Sequence, residues 1–212
     1  MIFSELGGVV SAALSSHWDF VASYRMAAGS ISLSAMTLCV SVICAAYVGV
    51  SDDLAEAVAQ MRLEHGDEED ELATDFSAVT IIVISVVAAM AVLFATAYGL
   101  WLIGGLLGSE ESFRATLAAV LWSGVVSAPL FYGLRAGGWM WRPVLSPQMF
   151  WGLILVASAY SSYVAAQMIG AAQGVSSAGY WALGFVVFFG IDYVNFARDD
   201  DGAWDEGRDD RE

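Results

Sequence analysis

Gln167, Asp192 and Asn195 set chemically capable side chains in or beside long apolar runs, and polar groups at membrane depth are where a binding site or polar path is found. Asp192 would serve as a proton or cation site if it lay deep. Its run ends within a few positions, which favours a boundary residue close to the headgroups. Catalytic patterns are missing where they would be needed. His17 and His65 both fall outside the apolar runs, and "WSGVVS" has no Gly-x-Ser-x-Gly elbow and no histidine to serve as its base. No run carries paired carboxylates or a His-Glu-x-x-His pattern. The tail "RDDDGAWDEGRDD" fails as a calcium loop. With Gly202 at the turn position, Ala197 and Arg208 stand where carboxylates are required. Cys39 and Cys44 share one run and read as small hydrophobes. The expectation is no enzymatic activity, no cofactor and no metal site, with divalent-cation binding by the acidic segments left open.

The elements that position these residues follow from composition. The 212 residues are 58% hydrophobic and 15% charged, with mean hydropathy +0.64. A soluble domain averages about 45–50% apolar and about 25% charged. Uncharged runs near the roughly 20 residues that cross a hydrocarbon core lie at about 31–50, 77–104, 115–134, 149–169 and 175–195. The fold class expected is therefore all-α, a polytopic membrane bundle of five transmembrane helices over 31–196. Residues 1–30 have helical apolar spacing (Ile2, Phe3, Leu6, Val9, Val10, Ala13, Leu14, Trp18, Val21, Tyr24) and read as an amphipathic segment.

Net charge is −15, and fifteen of the 23 acids fall in two short stretches, 64–75 and 199–212. An acidic loop at 51–76 and an acidic disordered tail at 197–212 follow. Both repel nucleic acid and anionic lipid. Membrane lipids are the expected partners, with another membrane protein or self-association as further candidates. An all-arginine basic set suggests a bacterial plasma membrane. Arg25 and Arg114 fall on one side of such a bundle and Arg62, Arg135, Arg142 and Arg198 on the other, which leaves orientation open.

Local punctuation gives finer expectations. The 33-residue run 76–108 is too long for one core and is expected to loosen at Gly99, Gly104, Gly105 and Gly108. In "GGLLGSEESFRATL" Gly108 would end one helix and Ser109 would cap the next, with Glu110 and Glu111 in its first turn, where negative charge suits the helix dipole. Pro129 predicts a kink, followed by a loop over 135–147 with Trp139 and Trp141 as interfacial anchors. Small residues recur every four positions at Ser158, Ser162, Ala166, Gly170 and Gly174, and again at Thr37, Ser41, Ala45 and Gly49. Such ridges let helices approach closely in lipid, within the bundle or between copies.

The stretch "YGLWLIGGLLGSEESFRATLAAVLWSGVVSAPLF" (98–131) resembles the Yip family (Ypt/Rab-interacting-protein type) of five-helix membrane proteins, in its bacterial branch. Trp101, Gly104, Gly105, Gly108, Phe113, Arg114 and Pro129 carry the likeness, which extends over roughly 95–195. The resemblance implies a non-catalytic membrane protein with a cytoplasmic N-terminus. Eukaryotic members contact small GTPases through a cytosolic N-terminal region, and that contact is not expected of the short segment here. The functional expectation is a membrane scaffold or protein-interaction module. The alternative is a transporter or channel component with Gln167, Asp192 and Asn195 along a polar path.

Overall fold

A computed structural model describes Ser11 and residues 19–49, 71–141 and 144–199, and its elements there are all α-helices. They are α1 (Phe20–Ser30), α2 (Leu33–Gly49), α3 (Glu71–Leu106), α4 (Phe113–Trp141), α5 (Pro147–Gln173) and α6 (Ser177–Asp199). Residues 71–76 of the expected acidic loop instead open α3, and residues 197–199 of the expected disordered tail close α6, since carrying the helix on keeps their backbone groups paired. Residues 50–70 and 200–212 lie outside the described residues, as do residues 1–10 and 12–18 of the amphipathic segment.

Polar residues start these helices. Asp19 Oδ1 accepts from Ala22 N (2.9 Å) at α1, and Ser32 Oγ accepts from Ala35 N (3.2 Å) at α2. Ser146 Oγ accepts from Met149 N (3.3 Å) beside Pro147 at α5. Each satisfies one of the backbone donors that a helix start leaves unpaired. The α4 start differs from its expectation. The helix begins at Phe113, and it is Ser112 Oγ that receives Ala115 N (3.4 Å). Ser109 Oγ receives Glu111 N (3.3 Å) within the turn, so Glu110 and Glu111 precede the helix and do not line its first turn.

Two further expectations change. α3 does not loosen at its glycines but runs unbroken to Leu106, 36 residues in all or roughly 54 Å. α4 passes through Pro129 and continues to Trp141, so most of the expected loop is helix. In lipid a released backbone group has no water to turn to, and continuing the helix keeps every remaining N–H and C=O paired. One missing proline donor is the smaller loss.

α4 is the hub. It pairs with α5 over the greatest length and also touches α2 and α3, while α6 packs on α5 and α1 lies across α4 and α5. Trp122, Leu121, Met36, Met168 and Val164 are fully buried between them. By contrast α3 turns Val79, Val83, Ile84, Val87 and Val92 outward, a face stable against hydrocarbon, where lipid tails are as apolar as the side chains. Ala78–Leu106 and Gln148–Gln173 are each long and apolar enough to cross a membrane, and α1 with α2 would make a third span bent by 119°. Phe113–Ala128 and Ser177–Val187 are shorter apolar helices.

Candidate functional site

A heavily committed polar side chain sits at one end of the bundle, where the α3–α4 and α5–α6 turns meet. Gln173, in the last turn of α5, is 3% exposed. Its Nε2 donates to the Leu100 carbonyl of α3 (3.1 Å) and to Thr116 Oγ1 of α4 (2.9 Å). Tyr180 of α6 donates its hydroxyl to Gln173 Oε1. Both amide hydrogens and the amide oxygen are thereby used, and one side chain ties four helices together. Only an amide does this: it supplies two donors and an acceptor without a charge that would need solvation.

Two glycines frame the knot. A Cβ on Gly104 would stand 2.3 Å from Gln173 Oε1 and 2.6 Å from Cδ, so the bare backbone is the socket for the amide. Gly108 then ends α3 with φ +88°. Ser109 N bonds the Gly104 carbonyl (2.9 Å) and Gly108 N the Gly105 carbonyl (3.2 Å), a Schellman closure that uses up the orphan carbonyls. α5 ends in the same way, with Gly174 at φ +67° and Val175 N on the Gly170 carbonyl (3.1 Å). The two chain reversals are built alike and share Gln173.

Around this end the family-like residues gather. Trp101 Nε1 donates to the Glu111 carbonyl (3.1 Å) across the turn. Tyr98, Trp101 and Phe113 pack as a trio, with ring centroids 5.7 Å apart for Tyr98–Trp101 and 6.1 Å apart for each ring against Phe113. Arg114 is exposed, Gly105 opens onto free space, and the side chain of Pro129 lies outside the described residues.

Of the expected polar path, Gln167 donates from Nε2 to Ser177 Oγ (3.2 Å), joining α5 to the start of α6. Asp192 and Asn195 lie on α6, with side chains outside the described residues. The ridge on α5 is buried at Ser158, Ser162, Ala166 and Gly170. It meets α6, because a Cβ on Gly184 would lie 3.4 Å from Ser162 Cβ and one on Gly170 would lie 3.0 Å from the Val175 carbonyl. The α2 ridge does not form the buried line: Thr37, Ser41 and Ala45 are half-buried and Gly49 exposed, while Met36, Val40 and Cys44 face inward. A bulkier line of methionine, valine and cysteine fills the gap against α4, where Val40 packs over Gly124, close enough that a Cβ there would be in ordinary contact at 3.5 Å.

Sequence reading passed over Gln173, Thr116 and Tyr180. The available signal was register. Gln173 lies seven and eleven residues after Ala166 and Ser162, on the stripe already marked as a packing ridge, and Thr116 opens the next helix. The hydroxyls deeper in the bundle mostly turn back on their own helices, as Ser123 does to Val120 O (2.8 Å), Ser127 to Ser123 O (2.7 Å) and Ser162 to Ser158 O (2.7 Å). Ser161 Oγ is buried without a partner. Replacing Ser161 by Ala removes an unpaired buried hydroxyl and is expected to leave stability unchanged or raise it by up to about 1 kcal/mol, read as the unfolding midpoint in detergent. A drop would mean that this hydroxyl is bonded.

Neither an acid–base pair nor a nucleophile stands at the knot. Its chemistry is positional: an amide and two hydroxyls that fix helix ends. Among the described residues no group of three or more His, Cys, Asp or Glu side chains is placed to hold a metal ion. A family model of the Yip1 domain matches residues 21–197. The chain belongs to the Yip family. The match takes in nearly all of α1 and α6 as well as everything between. The Yip domain therefore reaches well upstream of the 95–195 region that carries the sequence resemblance, and it includes Gln173 and its partners. With its apolar helices, membership makes this an integral membrane protein. No curated protein and no solved structure matches the chain significantly.

Proposed function

We propose that this Yip-family protein is a non-enzymatic scaffold or protein-interaction module of a bacterial plasma membrane, crossing it five times with α2 to α6. The observation that carries the reading is the use of Gln173. The strongest buried polar group ties α3, α4, α5 and α6 to one another and leaves no donor for a passing substrate. The same bonds set both short turns at one end, so the four helices run alternately up and down. Of the residues in the transport reading, Gln167 commits one amide hydrogen to Ser177.

The test is purification of the full chain from its native membrane in mild detergent, with bound proteins quantified, alongside the Asp192→Asn variant. A stoichiometric membrane-protein partner, kept by Asp192→Asn, is the expected result. Recovery of the protein with lipid alone, together with ion or solute flux in vesicles that Asp192→Asn abolishes, would overturn the scaffold reading in favour of transport.

A further inference from the structure

Among the described helices α1 has the slightest hold on the bundle. It touches α4 and α5. The contacts that hold it include Trp122 Nε1 donating to Ser23 Oγ (2.9 Å), Tyr24 donating its hydroxyl to the Ala115 carbonyl (3.3 Å), and Phe20 set edge-on to Tyr160 and Tyr163 (ring centroids 6.4 and 5.8 Å apart). Tyr163 and Tyr160 lie ten and thirteen residues before Gln173, roughly 15–20 Å down α5. α1 therefore slants into the bundle from the knotted end and does not lie flat upon it.

The joint to α2 is built for rotation. Ile31 N closes α1 on the Ala27 carbonyl (2.8 Å), and Ser30 Oγ bonds the Met26 carbonyl (2.6 Å). α2 starts afresh with Ser32, whose carbonyl receives Met36 N (3.1 Å) and whose hydroxyl receives Ala35 N. Between them the axis turns by 119°. Each helix is closed on its own side, so turning at Ile31–Ser32 breaks no helical hydrogen bond. Buried Ile31 and Met36 hold the pivot in place.

We propose that α1 is a hinged strap that opens reversibly at Ile31–Ser32 and uncovers a groove on α4 and α5 floored by buried Trp122 and half-buried Tyr160, with exposed Tyr163 at its edge. The energetic asymmetry supports this. In a membrane the apolar side of α1 loses little by turning from the groove to lipid, so fit and polar bonds decide whether it stays. The Ser23–Trp122 bond is the clearest of these. Indole offers a single donor, which in the closed state is buried against Ser23 and in the open state can find water or a lipid carbonyl. The strap stands apart from the scaffold reading, since it concerns the face that the fold can uncover whether or not a protein uses it.

Hydrogen–deuterium exchange on the full chain in phosphatidylcholine nanodiscs tests it. In the unaltered protein, amides of residues 24–30 should exchange at least about tenfold faster than those of residues 118–126, because the strap opens without the core and an eleven-residue helix released from its packing unwinds readily. Ser23→Ala strands the indole N–H in the closed state alone and should speed exchange of α1 by roughly a further tenfold, with α4 and α5 unchanged. Exchange of α1 at the rate of α4 in the unaltered protein overturns the proposal. So does a Ser23→Ala effect that is absent, or that is shared by α4 and α5.

Discussion

Gly104→Ala is expected to lower the stability of this protein by about 2–4 kcal/mol, the sum of several interhelical polar bonds lost and hydroxyls left buried without partners. The added methyl would stand 2.3 Å from Gln173 Oε1, 2.6 Å from Cδ and 2.8 Å from Nε2, far inside contact distance. Those atoms end a flexible side chain, so they can move. Moving them breaks the bonds to Leu100 O, Thr116 Oγ1 and the Tyr180 hydroxyl together. The backbone penalty works the other way, since alanine is the better helix residue by about 0.8–1.0 kcal/mol. A simple propensity argument would thus give the opposite sign. A double-mutant cycle separates the two effects. If Gly104 matters as the socket of Gln173, then Gly104→Ala should cost little in a Gln173→Ala background, and the coupling should nearly equal the single-variant loss. Unfolding midpoints of the four proteins in one detergent check it, and additive losses would mean that Gly104 acts elsewhere.

How far this was legible from the sequence depends on which residues spoke for themselves. Composition and uncharged runs announce a membrane helix protein, and the glycine-rich turn announces a reversal after Gly108, because left-handed φ and small size leave marks in residue type. The extents were harder. The run of Gly99, Gly104 and Gly105 reads as a loosening and residues 135–147 as a loop by rules learned in water, whereas in lipid the backbone has no alternative partner and the helices continue to Leu106 and Trp141. Ser109 and Ser112 are equivalent caps by type, and only the geometry of the turn, with Ser109 bonded to Glu111 N, gives the helix start to Ser112. Gln173 was hidden for another reason. Its role comes from four helices converging, which no local pattern encodes, and a glutamine beside a helix-ending glycine looks like an ordinary boundary residue. The α2 ridge shows the converse error. Thr37, Ser41, Ala45 and Gly49 have the right spacing, but the neighbouring line of Met36, Val40 and Cys44 is the one that fills the space against α4.

Gly170→Leu is expected to do more damage than Gly104→Ala, because what it meets cannot step aside. A Cβ at Gly170 would lie 3.0 Å from the Val175 carbonyl, and 3.2 Å from both Cα and Cβ of Ser177, all atoms of the turn and of the first residue of α6. The remaining atoms of leucine would have to occupy the space now filled by that turn. α6 would be driven off α5 at its root, taking with it the Tyr180–Gln173 and Gln167–Ser177 bonds and the seat of Gly184 on Ser162. Overpacking of a well-filled site costs about 1–3 kcal/mol by itself, and the lost bonds add to it, so a total of roughly 4 kcal/mol or more is the expected scale. Gly152→Leu is the matched control. It lies on the same helix with nothing within 4 Å of its added Cβ, and it should cost nothing, or raise stability by up to about 1 kcal/mol through the better helix propensity of leucine. Comparing the two variants by yield of monodisperse protein and by unfolding midpoint discriminates sharply. Equal tolerance at Gly170 and Gly152 would mean that the α5–α6 turn can be rebuilt at little cost, and the knot would then have to hold α6 without its help.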